Sequence, residues 1–178
     1  MEELLKFLQD RNILEWNWAL IGDGSGTTAD KPYGSACVLI SHFQEIPPTY
    51  WFNCGSAGTN NWAEASAYLP ALNFLAMRDR PKGVLLRVVI VTDSEYTAQG
   101  GSQIAYAKAN FMLFAAYEAL RRIGIAIQWI HQDRETLGYN KLAHDMANLA
   151  RKTIQNGTCL DEATSLAATG RWVRGGKP

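Results

Sequence analysis

Trp18-Ala-Leu-Ile-Gly-Asp-Gly-Ser-Gly-Thr27 starts as a strand and ends as a turn. Trp18 to Ile21 is an apolar run suited to the middle of a sheet. Gly22, Gly24 and Gly26 then bracket one carboxylate, Asp23, at what reads as the strand's end. Alternate glycines remove side-chain bulk beside the acid, so a metal ion or a backbone phosphate can approach closely. Hard divalent cations take carboxylate oxygens, which makes this metal-site material. The plainer alternative is a Gly-rich turn with a solvated Asp.

Outward from this stretch, the chain reads as β-β-β-α-β-α-α-β-α after a short amphipathic helix over 2–12 that packs on the sheet's edge. Trp16–Ile21, Tyr33–His42 and Thr49–Cys54 are consecutive strands with short connections, the pattern of an antiparallel meander. The period then becomes helical over Trp62–Arg78, with Asn60 or Asn61 as N-cap and Pro70 as an internal kink. Leu85–Thr92 is a nearly continuous apolar run, expected of a strand buried on both faces. Ser94–Gln99 reads as a short helix stopped by Gly100-Gly101. Ser102–Ile123 is a longer helix with Ile104, Ala107, Phe111, Phe114 or Ala115, and Leu120 inward. Ile125–Ile130 is the fifth strand and Lys141–Ile154 the last helix. The result is an α/β fold, a mixed five-stranded sheet with helices on both faces.

The 178 residues suit a catalytic domain over 16–156, with an N-terminal helix extension over 1–15 and a loose C-terminal tail over 157–178. No apolar run approaches the roughly 18 residues that span a bilayer, and the acidic start lacks a signal peptide's basic and apolar regions. Cys37, Cys54 and Cys159 have no zinc spacing and suit free thiols in a cytoplasmic, intracellular setting. Net charge is zero, which makes no global demand for nucleic acid. The charge is uneven, with 7 basic and 11 acidic side chains in residues 1–100 and the balance reversed beyond.

Four carboxylates stand at informative places. Asp23 ends the first strand, Glu64 lies in the first turn of a helix, Asp93 follows the most buried strand, and Asp145 lies early in the last helix. Each has a plainer reading: the helix dipole favours Glu64 and Asp145, and Asp93 suits an N-cap. Brought together, they would repel unless a cation sat among them. Two divalent ions about 4 Å apart are the apparatus for in-line attack of water on a phosphodiester.

The surroundings of the acids carry a resemblance. Asp23-Gly-Ser-Gly, Thr59-Asn-Asn-Trp-Ala-Glu64, Thr92-Asp-Ser-Glu-Tyr96, and Asn140 with Ala143-His-Asp145-Met-Ala-Asn-Leu-Ala150 resemble, in order and at similar spacing, the four signature blocks of the type 1 ribonuclease H family. The resemblance implies a ribonuclease H fold with strand order 3-2-1-4-5 and only strand 2 antiparallel. It implies endonucleolytic hydrolysis of the RNA strand of an RNA–DNA hybrid with two Mg²⁺ or Mn²⁺ ions, leaving 5′-phosphate and 3′-hydroxyl ends. In that scheme Asp23 bridges both ions, and Asp145 completes the site of the attacking water. Glu64 and Asp93 hold the ion at the leaving oxygen, and Glu64 also bonds a 2′-hydroxyl. Asn60 and Asn61 would contact the hybrid through its minor groove, with Thr59 near the DNA backbone. Gly24, Ser25 and Asn140 are further expected substrate contacts. The chain would act as a monomer on a hybrid, without a membrane.

The sequence departs from the family's pattern at three places. The family's loop His sits in a Gly-His-x-Gly pattern four residues after a strand Trp, whereas His131 follows Trp129 by two with no Gly before it. Asn140 precedes Asp145 by five residues where the family's Asn precedes its acid by four, and His144 stands beside that acid. The stretch 102–124 has only Lys108, Arg121 and Arg122 where many members carry a basic helix, so hybrid affinity would depend on another region, a fused partner or low salt. Arg171, Trp172, Arg174 and Lys177 of the tail could supply it, and the plainer reading of that tail is a disordered end. The alternatives are a catalytically weak or silent hybrid-binding module and another nuclease on the same fold.

Overall fold

The computed structural model describes residues 1–43, 45–77, 85–102, 110–133 and 137–155. Five strands, β1 (Trp18–Ser25), β2 (Tyr33–Ser41), β3 (Thr49–Gly55), β4 (Leu86–Thr92) and β5 (Ile125–His131), form one sheet in the order β3-β2-β1-β4-β5. β1 pairs with β2 antiparallel and with β4 parallel, β2 with β3 antiparallel, and β4 with β5 parallel, so β2 alone opposes the rest. This is the expected sheet. β1 outruns β4: their pairing ends at Gly22 and Thr92, while Asp23, Gly24 and Ser25 continue opposite Ala36, Ser35 and Gly34 of β2. Asp23 therefore lies inside the strand and not at its end, because β2 extends the ladder beyond it.

Helices cover both faces. Leu20, Leu39, Val88 and Ile90 pack with Leu72 and Leu75 of α3 (Leu69–Met77) and with Phe114, Tyr117 and Leu120 of α5 (Phe111–Arg122). α2 (Asn60–Ser66) and α4 (Glu95–Ser102) complete this layer. The alternate residues Ala19, Ile21, Val38, Ile40, Val89 and Val91 face the other way, onto Leu4, Phe7 and Leu8 of α1 (Glu2–Gln9). α6 (Gly138–Gln155) lies on that second face through Met146 and Ala147. The period-two alternation thus divides the core into two layers. α1 covers the middle of the sheet and not its edge, so residues 1–15 share one core with the strands. Asn12, at φ 57°, turns the chain out of α1, and its neighbour Ile13 donates its N–H to the Leu8 carbonyl at 2.9 Å.

Four helix expectations are corrected. The span from 62 onward is two helices, α2 and α3, separated at Ala67–Tyr68. Pro70 stands in the first turn of α3, where a missing N–H has no helical partner to lose, so it starts a helix and kinks none. Gly100-Gly101 do not stop α4, which runs through them to Ser102. They are glycine because a Cβ on Gly100 would enter the Phe114 ring and one on Gly101 the Trp129 ring. Phe111 begins α5 and is exposed, while Leu113, Phe114, Tyr117 and Leu120 face inward. Ile104, Ala107 and Lys108, and the tail from 156 onward, lie outside the described residues.

Replacing Gly101 by Ala should therefore destabilise, although Ala is the better helix former by about 1 kcal/mol. We expect a net loss of about 1–3 kcal/mol from overpacking against Trp129. Gly138→Ala, whose Cβ would meet nothing closer than Glu3 Oε2 at 3.7 Å, should change stability by less than about 1 kcal/mol. Urea denaturation of both variants checks the contrast.

Candidate active site

The end of β1 that outruns β4 is where the acids meet. Asp23, Glu64 and Asp93 each offer an oxygen, and these oxygens all lie within 4.8 Å of one another. Asp23 is buried, and its Oδ1 accepts the Gly24 N–H at 2.7 Å. Asp93 is half-buried, one residue past the end of β4. It is not spent as a helix cap: Ser94 Oγ takes that role, accepting the Thr97 N–H at 3.2 Å.

Glycines in β1 set the position of Glu64. A Cβ on Gly24 would fall inside the backbone of Glu64, and one on Gly26 would come within 2.8 Å of the Asn60 nitrogen. Without those side chains α2 rests directly on the strand and lowers the buried Glu64 toward Asp23. Thr59 caps α2, its Oγ1 accepting from the Trp62 N–H at 3.1 Å, which corrects the expected Asn60 or Asn61 cap. Asn60 is used differently. Its Oδ1 accepts the Gly26 N–H and its Nδ2 donates to Glu64 Oε1, both at 3.1 Å, so the amide ties β1 to the acid. Thr59 and Asn61 are exposed beside it.

The fourth expected acid does not arrive. Asp145 is exposed and paired with Lys141 at 2.9 Å. The hydrogen bond from Lys141 holds its carboxyl below the usual range. His144 comes in its place, with Nδ1 at 2.6 Å from Asp23 Oδ2. A helix turns about 100° per residue, so only one of two adjacent positions can face the sheet. On α6 that face carries the buried Asn140, then His144, then Asn148, each four residues apart. Asn148 Nδ2 lies 2.9 Å from His144 Nε2, and Asn148 Oδ1 accepts from Ser25 Oγ at 2.7 Å. The missed signal was spacing: His144, not Asp145, follows Asn140 by four. Ser25 thus serves the His144 chain, and Gly24 serves helix approach. His131 is exposed at the end of β5, its Nε2 3.3 Å from the Asp93 carbonyl oxygen.

Three converging carboxylates with glycine at the wall form a hard-oxygen donor set that could hold a metal ion.

No family model matches the chain, and no curated protein matches its sequence. Solved structures do. The chain is similar to LC11-RNase H1, isolated from compost by a metagenomic approach and solved in complex with an RNA/DNA hybrid, with a TM-score of 0.65 and 21% identity over 78% of this chain and 99% of that one. It is similar to the N-terminal RNase H domain of rv2228c from Mycobacterium tuberculosis, with a TM-score of 0.61 and 17% identity over 82% of this chain and 100% of that one. It is also similar to LC9-RNase H1, a type 1 RNase H with the type 2 active-site motif, with a TM-score of 0.62 and 18% identity over 93% and 99% of the two chains. The chain has the type 1 ribonuclease H fold. In this fold the acid cluster sits at the carboxyl ends of two adjacent parallel strands, a common location for sites in open α/β sheets.

Clustered carboxylates cost stability in the absence of a cation, since like charges at about 5 Å repel by a few kcal/mol at an effective dielectric of about 20. Asp93→Asn should raise the melting temperature of EDTA-treated protein by about 3 °C, equivalent to about 1 kcal/mol. The same substitution should abolish any upward shift that Mg²⁺ gives the parent chain. Thermal unfolding with EDTA and with Mg²⁺ checks both.

Proposed function

We propose that the chain is a divalent-metal-dependent endoribonuclease that hydrolyses the RNA strand of RNA–DNA hybrids, leaving 5′-phosphate and 3′-hydroxyl ends. The observation that carries this reading is the convergence of Asp23, Glu64 and Asp93 within 4.8 Å on a ribonuclease H fold. Among similar structures, one is solved with an RNA/DNA hybrid bound. In this scheme Asp23, the most buried of the three, would serve both ions, and Glu64 and Asp93 would hold the one at the leaving oxygen. When bound, such ions supply an activated water and neutralise charge on the scissile phosphate.

The protein's own part is positioning. Asn60 holds Glu64 through its amide and fixes that amide on the Gly26 N–H. Attack by water on phosphorus breaks the P–O3′ bond; the 3′ oxygen leaves with the bonding pair and takes a proton, and the phosphate stays on the 5′ end. Exposed Thr59 and Asn61, at the start of α2, flank the acids where a minor groove would lie. Short amides and hydroxyls there can bond 2′-hydroxyls without regard to sequence, which is how A-like duplexes are read. His131, beside the Asp93 carbonyl, would assist product departure in this scheme. One chain carries the whole cluster, so a monomer suffices. An intracellular setting, where hybrids arise, accords with the buried free thiols Cys37 and Cys54. Among the described residues, no helix is long and apolar enough to cross a membrane.

End-labelled hybrid, DNA duplex and RNA duplex incubated with Mg²⁺ or Mn²⁺ test the reading. We expect cutting of the hybrid's RNA strand only, and a loss of more than about a thousandfold in Asp23→Asn and in Asp93→Asn, equivalent to over 4 kcal/mol of transition-state stabilisation. Cutting that survives EDTA or Asp93→Asn overturns it. Hybrid bound but uncut in both metals would mark a silent binding module.

A further inference from the structure

We infer that His144, and not Asp145, is the fourth ligand of the metal site, and that its nitrogen tilts the site from Mg²⁺ toward divalent transition metals. This rests on the reading that the acid cluster binds divalent ions. Three observations carry it. His144 Nδ1 is 2.6 Å from Asp23 Oδ2, which sets the imidazole directly against a carboxylate of the acid cluster. Asp145 points elsewhere, with its carboxylate on Lys141 and more than half of the side chain in solvent. The far side of the imidazole is already supported, Nε2 by Asn148 at 2.9 Å and Asn148 by Ser25 at 2.7 Å.

That support is what a ligating histidine needs. A metal-bound imidazole presents one nitrogen to the ion and gives its other N–H to a neighbouring acceptor, which fixes tautomer and ring plane. With Nδ1–H donating to Asp23, Asn148 presents Nδ2 to Nε2, and Ser25 donates to Asn148 Oδ1. With Nδ1 on a metal, Nε2 carries the proton instead. Turning the Asn148 amide over then offers Oδ1 to Nε2–H and Nδ2 to Ser25 Oγ, which a hydroxyl can accept. In both arrangements Nε2, Asn148 and Ser25 keep their partners. Asp145 has no comparable support from the sheet.

The consequence is in metal choice. Mg²⁺ prefers oxygen ligands, while imidazole suits the later first-row divalent ions, whose affinity rises from Mn²⁺ through Co²⁺. Three carboxylates and one imidazole are thus a mixed site, where four carboxylates would be an all-oxygen one.

The test is calorimetric titration of the full chain with Mg²⁺, Mn²⁺ and Co²⁺, together with pulsed EPR of bound Mn²⁺ for coupling to nitrogen. His144→Ala, His144→Asp and Asp145→Asn are compared, with circular dichroism to confirm folding. We expect nitrogen coupling in the parent chain and in Asp145→Asn, and none in His144→Asp. The Co²⁺ to Mg²⁺ affinity ratio should fall at least tenfold in His144→Asp, which restores an all-oxygen site and keeps Mg²⁺ binding. Metal bound without nitrogen coupling, or an unchanged ratio in His144→Asp, overturns the inference and leaves His144 a partner of Asp23 only, with the metal site intact. No divalent ion bound by the parent chain, or binding unaffected by Asp93→Asn, overturns the inference and the reading beneath it together.

Discussion

Everything at the site depends on how closely α2 lies on β1. Gly22, Gly24 and Gly26 share one face of the strand, and the space their side chains would fill is taken by Tyr68, Glu64 and Asn60 in turn. Two strand residues advance the chain about 6.6 Å and four helical residues about 6 Å, so the stripe of glycines and the four-residue stripe run in step. Tyr68 closes one end of the contact by donating its hydroxyl to the Gly22 carbonyl at 3.1 Å. Asn60 closes the other on the Gly26 N–H. Between them Glu64 has one place to go. On the opposite face Gly34 of β2 does the same for α6, with a Cβ there running into the backbone of Ala147 and Arg151. Two helices are thus brought to the end of β1 from opposite faces of the sheet, one with Glu64 and the other with His144.

This arrangement accounts for burying acids where burial is unfavourable. A carboxylate taken from water needs hydrogen bonds or a countercharge. Asp23 has the Gly24 N–H on one oxygen and His144 on the other, and Glu64 has the Asn60 amide. These partners orient the oxygens and still leave three carboxylates facing one another, a cost to stability that suits a binding centre better than a core. The large apolar layers on both sides of the sheet supply the stability against which that cost is set.

Much of this was legible in the residues. The β-forming residues of β2 and the unbroken apolar run of β4 predict strands, although β2 proves buried on both faces, and the sheet order follows from the family resemblance. The alternating glycines announce a close approach at Asp23, though not what approaches. Pairwise contact was the limit elsewhere. Gly100-Gly101 reads locally as a helix stop, but the Phe114 and Trp129 rings that demand glycine come from distant elements. Pro70 reads as a kink only if one helix is assumed across it; two helices make it an ordinary N-terminal residue. At α6 residue type competed with spacing. Residue type points to Asp145, whereas the four-residue step from buried Asn140 lands on His144. Helical geometry was the stronger guide, because turning α6 to bring in Asp145 would expose Asn140 and withdraw Asn148 from Ser25.

The inferred imidazole ligand in place of a fourth carboxylate would alter the charge of the centre as well as its ligand type. With three carboxylates, two divalent cations would leave one unit of positive charge uncompensated; a fourth would cancel it. The difference matters in a chain whose helix α5 lends little basic surface. Arg121 donates to the Gly101 carbonyl at 2.6 Å and pairs with Glu118, which Arg122 also approaches. Affinity for a polyanion ordinarily comes from lysines and arginines spread along its backbone, and it weakens steeply with salt. Charge held at the reacting centre acts on the scissile phosphate at short range, in a partly desolvated site, where screening is weaker. On the proposed function and the inferred His144 ligand, the change on α6 and the modest basic surface of α5 would be two sides of one electrostatic arrangement, with attraction for the substrate concentrated at the acid cluster.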